Sequence, residues 1–372
     1  FITGDPNQTI SPTRFDIGKI QQLPYLHGIA AARVERLLGN YRNSQSVTEL
    51  INTLNNIRND RLSKQKIELS QNEVGKGISV GKTYVYEGPL PNLQEVVLGA
   101  NTAVITTQEN LEQLKEQLKD VIIFSVEEIK GLEFDNVVLM DLLTNHKEIL
   151  DMIYTQTRVK DQSLHFYFNL FYVGVSRASK NLVIYESSAT ELLKELKEKL
   201  SSRNLITTSE LSSIDLEVDV SAEGYFNLGI KLKDNGSYGK AIDALYKCFE
   251  IDETFPGLEK EFSICEIYMK FSSDTERAHH LNEKGFFREA RKIYQQLNDY
   301  TNIARMNLHL EDMIEFENEI RKNKLDILDF YGIDHILDRR LDPYLSTIIE
   351  ETQEIIQQIR IIKHSPEVMS NE

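Results

Sequence analysis

Long apolar runs are absent from this sequence. A membrane-spanning helix needs about 18 consecutive apolar residues, and no stretch of the 372 residues approaches that length. The opening residues FITGDPNQ also contain neither the basic nor the apolar region of a secretory signal. Because 41% of the residues are nevertheless hydrophobic, we predict a soluble, cytoplasmic protein without membrane contact and with roughly two to three globular domains.

Cysteine is scarce, and the two cysteines lie in a tract with helical periodicity. Cys248 and Cys265 lack the short spacing of zinc ligands. We interpret both as small buried apolar residues and expect neither disulfide bonds nor structural zinc. The adjacent His279 and His280 would face different directions on a helix, so we predict no metal site there.

Positive charge is in deficit. The chain has 42 Lys and Arg residues against 58 Asp and Glu, and its formal net charge is −16 at pH 7. A protein that binds nucleic acid needs a basic surface, because contacts to phosphates dominate the affinity. Any nucleic-acid contact made by this chain must therefore be local.

Two stretches organise the first half of the chain. Residues 121–141, VIIFSVEEIKGLEFDNVVLMD, predict a buried strand, a polar loop and a second buried strand. Residues 169–185, NLFYVGVSRASKNLVIY, predict an apolar helix that turns directly into a strand over 181–185. Arg177 in that turn would present its guanidinium at the mouth of a parallel sheet, where α/β proteins bind nucleotides.

Other local patterns complete an α/β alternation. Strands are predicted over 82–87 and 102–107 and a helix from 109, while S-x-x-E patterns at 46–49 and 188–191 predict capped helix starts. Residues 201–216, rich in Ser and Thr, predict a linker. Gly81-Lys82-Thr83 is not a phosphate loop, because Gly75 lies one residue too far upstream and a strand follows.

Four motifs in order resemble those of superfamily 1 helicases of the UvrD/Rep type. They are GDPNQTI at 4–10, NYR at 40–42, the loop over 125–133 and VSRA at 175–178. The resemblance covers about the first 200 residues. It implies a P-loop NTPase fold, with residues 1–25 as the end of a first RecA-like motor domain and its crossover. Residues 26–205 would form the second RecA-like domain.

The resemblance also implies ATP hydrolysis coupled to movement along single-stranded DNA. By this resemblance Gln8 senses the terminal phosphate, Arg42 reaches the γ-phosphate, and Arg177 is the arginine finger that stabilises the transferred phosphoryl group. The other nucleotide contacts would come from Tyr41 on the base, Glu133 on the ribose, and Gly131 and Asp5 in the two flanking loops.

Ser125, Lys130 and Phe15 are the DNA-binding candidates that the resemblance implies. Phe15 would replace the Trp that the family stacks on a DNA base, since this chain has no Trp. Glu127 stands where the family often has a histidine. Together with Glu128 it puts two carboxylates where a phosphate backbone would pass, which costs energy unless a cation such as Lys130 intervenes.

No Walker A loop and no acidic magnesium-binding strand precede the helicase-like motifs. We therefore expect a fragment that supplies half of an ATP site, with Mg²⁺ held mainly by the other half. Alone, it should not hydrolyse ATP. The interval between 60 and 119 also leaves no room for the accessory subdomain that UvrD-type enzymes insert.

The second half of the chain predicts helix after helix. G-x-[aromatic]-x-x-A occurs at 236–241 and again at 285–290, and this resembles tetratricopeptide-type helical hairpins. We predict an all-α interaction domain over 206–372 that binds a protein partner, with an irregular helical bundle as the alternative. A stripe of isoleucines over 348–362 would lie on one face of a helical tail.

A rival function belongs to another class: a degenerate motor domain that acts as a scaffold and recruits a protein through its helices. Glu127 and Glu128, the acidic balance and the absent Trp favour the scaffold. The four polar residues that match the helicase motifs favour the ATPase, because a scaffold has no physical need for all of them; they are Gln8, Arg42, Glu133 and Arg177.

Overall fold

The computed structural model describes residues 39–62, 73–74, 79–87, 99–118, 121–155, 162–200, 204–210, 213–325, 330 and 341. The chain divides into two units, Phe1–Glu261 and Phe262–Glu372. The predictions made for Asp5, Gln8, Phe15 and the isoleucine stripe over 348–362 lie outside the described residues. None of the described helices is both long and apolar enough to cross a membrane.

A six-stranded parallel sheet forms the centre of the first unit. Its strand order is β5-β4-β6-β7-β3-β8, and every neighbouring pair is parallel. A separate parallel pair, β1 and β2, lies ahead of it in the chain. The strands are β1 Gly39–Asn40, β2 Glu73–Val74, β3 Lys82–Tyr86, β4 Thr102–Thr106, β5 Ile123–Ser125, β6 Phe134–Met140, β7 Ala178–Tyr185 and β8 Ile206–Thr208.

Helices lie between several of these strands, because parallel neighbours need crossover connections. The first five helices are α1 Gln45–Leu62, α2 Leu111–Gln117, α3 Lys147–Thr155, α4 Gln162–Val175 and α5 Glu191–Lys199. Short 3-10 turns at Gln108–Asn110 and Thr144–His146 precede α2 and α3. Helical connections on the sheet bury the inner strands on both faces, which is why all five residues of β4 are buried.

The predicted strand–loop–strand and helix–strand stretches are confirmed. β5 and β6 flank a turn-rich loop, and α4 leads through two residues into β7. The strand predicted after Gly81 is β3, so the interpretation of that segment as something other than a phosphate loop also holds. Cys248 and Cys265 are both buried, as predicted.

Two local predictions fail because tertiary contacts override them. α1 begins at Gln45, so Ser46 lies inside the helix and is not its cap. The preceding Ser44 is fixed by β7, since its backbone N–H donates to the Ser179 carbonyl at 2.8 Å and its hydroxyl to the Lys180 carbonyl at 2.7 Å. The predicted linker over 201–216 contains strand β8, which hydrogen-bonds to β3 at the sheet edge.

Within the described residues, seven helices follow the sheet. They are α6 Ala222–Asp234, α7 Tyr238–Ile251, α8 Leu258–Lys270, α9 Asp274–Glu283, α10 Phe287–Leu297, α11 Tyr300–His309 and α12 Met313–Asn323. The boundary between the two units falls inside α8, so α6 and α7 belong to the same unit as the sheet. Domain boundaries at 25 and 205 remain a prediction.

Several turns at the ends of these helices share one geometry. Gly236 and Gly285 have φ values of +81° and +78°, and each is followed by an N–H that donates to a carbonyl five residues back. This is the Schellman ending, in which a left-handed residue lets the chain reverse. Further left-handed residues at 298, 311 and 324 continue an even spacing of 13 residues from Gly285.

Ala241 and Ala290, the last residues of the two G-x-[aromatic]-x-x-A signatures, are completely buried. A side chain larger than that of alanine at either position would have to fit into the space between paired helices. Gly229 shows the same closeness, since a Cβ there would lie 2.7 Å from Leu245. These features fit helical hairpins, and the tetratricopeptide-like assignment stays a prediction.

Candidate functional site

The predicted site residues within the described part of the chain gather where the strands of the sheet begin. Glu133 directly precedes β6, and Arg177 directly precedes the neighbouring parallel strand β7. Arg42 follows β1 and precedes α1. Arg177 lies in the turn between α4 and β7, as predicted. Open α/β sheets bind nucleotides at the edge where strands end, so that general rule does not support a nucleotide site at the edge where β7 begins. The turn that carries Arg177 leads into the start of strand β7 and does not follow the end of a strand.

Two asparagines shape the loop that carries Tyr41 and Arg42. The Asn40 side-chain oxygen accepts the backbone N–H groups of Arg42 and Asn43, both at 3.0 Å, which is a side-chain turn typical of Asn. The Asn43 amide donates to the carbonyls of Ser176 at 3.1 Å and Ala178 at 2.7 Å. This loop is therefore attached to both sides of Arg177. Sequence reasoning missed both asparagines, although their types, in N-Y-R-N, were a usable signal.

Arg42 and Glu133 form an ion pair. Arg42 Nε lies 2.6 Å from Glu133 Oε1, and the two side chains are 45% and 40% exposed. Pairs this accessible contribute less than about 1 kcal/mol. A more strongly charged ligand can therefore separate them at small cost.

Arg177 is enclosed by its own domain. It is 2% exposed, and its guanidinium donates to the Val173 carbonyl at 3.1 Å, the Leu132 carbonyl at 3.3 Å and the Ser176 hydroxyl oxygen at 3.0 Å. The bond to Leu132 joins the α4–β7 turn to the residue that precedes Glu133. In this conformation the guanidinium stabilises the loop through its bond to Leu132 and is not exposed to solvent.

The remaining nucleotide candidates among the described residues are accessible. Tyr41 is 75% exposed, which leaves its ring free to stack on a planar ligand. Gly131 is exposed and has a φ of +94°, a conformation that a side chain at this position would disfavour. Lys130 beside it is also exposed. Tyr41, Arg42 and Glu133 therefore offer an aromatic face, a cation and a hydroxyl acceptor, which fit the base, phosphate and sugar of a nucleotide.

The loop from Ser125 to Glu133, here called the coupling loop, begins with a reciprocal cap. The Glu128 N–H donates to the Ser125 hydroxyl oxygen at 3.3 Å, and the Ser125 N–H donates to Glu128 Oε2 at 2.8 Å. These bonds have the reciprocal pattern of a capping box, here in a turn-rich loop and not at the start of a helix, and sequence reasoning overlooked the S-x-x-E pattern. Ser125 is completely buried, so this conformation offers no surface of Ser125 to DNA.

Glu128 also pairs with a lysine that sequence reasoning did not select. Lys240 Nζ lies 2.8 Å from Glu128 Oε1. Partial burial alone would raise the pKa of Glu128, but the Lys240 bond and the Ser125 N–H outweigh burial and lower it. The carboxylate is thus neutralised by a cation, as the sequence analysis required, although the cation is Lys240. Glu127 remains exposed.

Within the part of the chain that the structure describes, the acidic groups at this edge do not form a cluster that could hold Mg²⁺. Glu133 is engaged by Arg42, and Asp135 is 2.8 Å from Lys180 and accepts the Ser179 hydroxyl at 2.9 Å. Elsewhere, His279, His280 and Glu283 place ligand atoms within 4.8 Å of one another. His279 and Glu283 are exposed and His280 is partly exposed. Each imidazole Nδ1 pairs with a Glu283 oxygen. The two histidines therefore converge on one carboxylate, contrary to the expectation that they face apart.

The opposite edge of the sheet contains a cavity of about 340 Å³, lined by the ends of β3 and β7 and the start of α5. Glu186 in its wall accepts the N–H groups of Leu143 at 3.0 Å and Thr144 at 2.7 Å. Burial raises its pKa to about 7, against the opposing effect of these bonds. Sequence reasoning missed Glu186, because nothing in the local pattern reveals its burial.

The sheet order and its flanking helices define the class: a RecA-like parallel α/β domain followed by helices. Residues 92–189 match the family model described as the UvrD-like helicase C-terminal domain, which agrees with the resemblance seen in the motifs. That stretch holds the coupling loop and Arg177, while Arg42 precedes it.

Comparison with solved structures gives a further similarity. The C-terminal domain of a possible DNA helicase from Lactobacillus plantarum WCFS1 is 18% identical, and the match covers 46% of this chain and 99% of that one, with a TM-score of 0.29. Because this TM-score is low, the similarity carries no argument about the fold. The fold class rests on the strand order and the flanking helices. No curated protein matches the chain.

Proposed function

We propose that this chain supplies the second motor domain of a UvrD-like, ATP-dependent DNA helicase or translocase. The observation that carries the proposal is that one loop, the coupling loop, is held by both predicted phosphate-sensing arginines. Arg42 pairs with its Glu133 side chain and Arg177 bonds its Leu132 carbonyl. The family match over residues 92–189, which includes this loop, supports the same proposal.

In this mechanism the Arg42–Glu133 pair is a resting arrangement. ATP carries a triphosphate whose charge exceeds that of one carboxylate, so Arg42 would turn from Glu133 to the γ-phosphate. Glu133 would then accept a ribose hydroxyl, and Tyr41 would cover the base. Because Glu133 belongs to the coupling loop, exchange of its partner would move the loop and any DNA strand bound to it.

Arg177 has two roles in this proposal. In the resting state it supports the coupling loop through Leu132. In the closed state it would reach the transferring phosphoryl group, where a preorganised guanidinium gains most as negative charge develops. Mg²⁺ would be held mainly by the Walker-type residues of the first motor domain. DNA would contact the exposed Lys130 and, from outside the described residues, Phe15.

The test is steady-state ATP turnover by the full-length protein with and without single-stranded DNA. Arg42→Ala should lower the DNA-stimulated kcat by at least tenfold, in line with loss of a phosphate-stabilising arginine. Arg291→Ala, in α10 of the other unit, is the matched control and should leave turnover unchanged. Equal turnover in the Arg42→Ala variant and the wild type would refute the proposal.

The scaffold function has one specific observation in its favour. Arg177 is committed to the domain interior by three hydrogen bonds, as expected of a structural residue. A scaffold would bind its protein partner equally well without ATP and with Arg42→Ala. Protein capture that depends on ATP, and is lost in Arg42→Ala, would exclude a purely structural role.

A further inference from the structure

The α6–α7 hairpin contacts the coupling loop at both of its ends. At the start of the loop, Lys240 pairs with Glu128 at 2.8 Å and lies 5.5 Å from the ring centre of Phe124. At its end, Lys231 donates to the Glu133 carbonyl and lies 4.6 Å from the ring centre of Phe134. Each lysine therefore combines a polar bond with a cation–π contact.

The hairpin is also fixed at its base. The Ala100 N–H donates to the Asp219 carbonyl at 2.6 Å, and the Asp219 N–H donates to the Asn101 side-chain oxygen at 2.9 Å. Asn136 in β6 donates to the Glu217 carbonyl at 2.9 Å. Because α6 begins three residues after Asp219, its first turn is attached to the edge where the sheet strands begin.

The coupling loop is consequently held from two sides. Arg42 and Arg177 hold its end from the nucleotide side, whereas Lys231 and Lys240 hold it from the hairpin. The bonds to Glu133 show the sharing most directly: its carboxylate binds Arg42 and its carbonyl binds Lys231. Two groups of contacts on one short loop are coupled whenever the loop has more than one arrangement.

We propose that the α6–α7 hairpin is a positioning element for the coupling loop, and that Lys231 and Lys240 are its positioning residues. Through these two lysines, a change in the position of the hairpin changes the conformation of the loop that Arg42 and Arg177 contact. The motor consequence rests on the proposed function, whereas the mechanical link between hairpin and loop does not.

The mechanical link is tested by hydrogen exchange on the chain itself. Two loop amides report the loop conformation: Ile129 N–H donates to the Ser125 carbonyl and Leu132 N–H to the Ile129 carbonyl. Lys240→Met should speed exchange over 126–133 by about 5- to 30-fold, as expected for loss of a partly buried ion pair. Lys240→Arg should restore protection.

Lys247→Met is the matched control, because Lys247 lies on the same helix and contacts Tyr225 within the hairpin. It should leave loop exchange unchanged. Glu128→Gln keeps an acceptor for the Ser125 cap, so adding Lys240→Met to Glu128→Gln should have little further effect. Unchanged loop exchange in both Lys240→Met and Lys231→Met, with the hairpin amides still protected, would overturn the proposal.

DNA-stimulated ATP turnover of the full-length protein tests the motor consequence. Lys240→Met should lower kcat several-fold, Lys240→Arg should recover it, and Lys247→Met should not change it. If Lys240→Met loosens the loop and leaves kcat unchanged in a motor that Arg42→Ala inactivates, the transmission role is overturned. If Arg42→Ala itself has no effect, the proposed function fails, and loop exchange alone decides the mechanical link.

Discussion

Truncation of Arg177 should destabilise this protein as well as slow its chemistry, because the side chain is enclosed. Arg177→Ala removes the guanidinium bonds to Val173, Leu132 and Ser176 and leaves a space in a buried turn. The Val173 carbonyl keeps the Ser176 hydroxyl at 2.9 Å as a donor, but the Leu132 carbonyl loses the guanidinium. One weakened buried acceptor together with lost packing costs about 2–4 kcal/mol of unfolding free energy.

Urea unfolding of the chain, followed by far-UV circular dichroism, measures this cost. Arg177→Lys should recover less than half of it, because the single ammonium nitrogen cannot occupy the three positions from which Nε, Nη1 and Nη2 of Arg177 donate. Lys130→Ala, an exposed residue of the adjacent loop, is the control and should lie within about 0.5 kcal/mol of wild type. An Arg177→Ala variant as stable as wild type would refute the structural role.

The catalytic part of the same prediction rests on the proposed function and needs both proposed motor domains, assayed at a temperature where the variant is folded. Arg177→Ala should lower kcat by about 10³ or more, as arginine fingers generally do, with a much smaller effect on nucleotide affinity. Arg177→Lys should not restore kcat, since it lacks the bidentate fork. A raised KM with kcat within a few-fold of wild type would reject the finger assignment and favour the scaffold.

Three further predictions concern other parts of the chain. Ala241→Leu or Ala290→Leu should overpack its helical hairpin and cost about 1–3 kcal/mol; an unmoved thermal midpoint would contradict the close packing of these residues. Glu186 binds its proton more tightly folded than unfolded, since its pKa is about 7 against an ordinary 4.5. Its contribution therefore declines as pH rises from about 4.5 to 7, and Glu186→Gln should remove that part of the slope in urea titrations. Removal of the exposed ion pair by Arg42→Ala should change the unfolding free energy by less than about 1 kcal/mol, so a larger loss in denaturation experiments would show that Glu133 depends on it.

The secondary structure around the site was largely predictable from local pattern. An apolar run on each side of a polar loop predicted β5 and β6, and an apolar helix ending in S-R-A predicted the turn into β7. The motif order was enough to predict the family that residues 92–189 match. These features depend on side-chain periodicity and on the short spacing within motifs. Both can be recognised from residues that lie close together in the sequence.

The candidate site was predictable only in part. Residue type and motif selected Arg42, Glu133 and Arg177, and the structure brings all three to one edge. Their exposure was not predictable, because it depends on which carbonyls and helices surround each side chain. Lys231 and Lys240 were missed for the same reason, since their partners lie 98 and 112 residues away in the chain.

The sequence alone determined most of the strands and helices around the site, since hydrophobic period acts over a few positions. Only the tertiary structure decided the strand order, the recruitment of β8 to the sheet and the edge on which the site lies. It also decided that Arg177 is buried and that a hairpin lysine neutralises Glu128. These outcomes depend on the free energy of contacts between segments that are far apart in the chain. No local sequence pattern indicates which segments make contact.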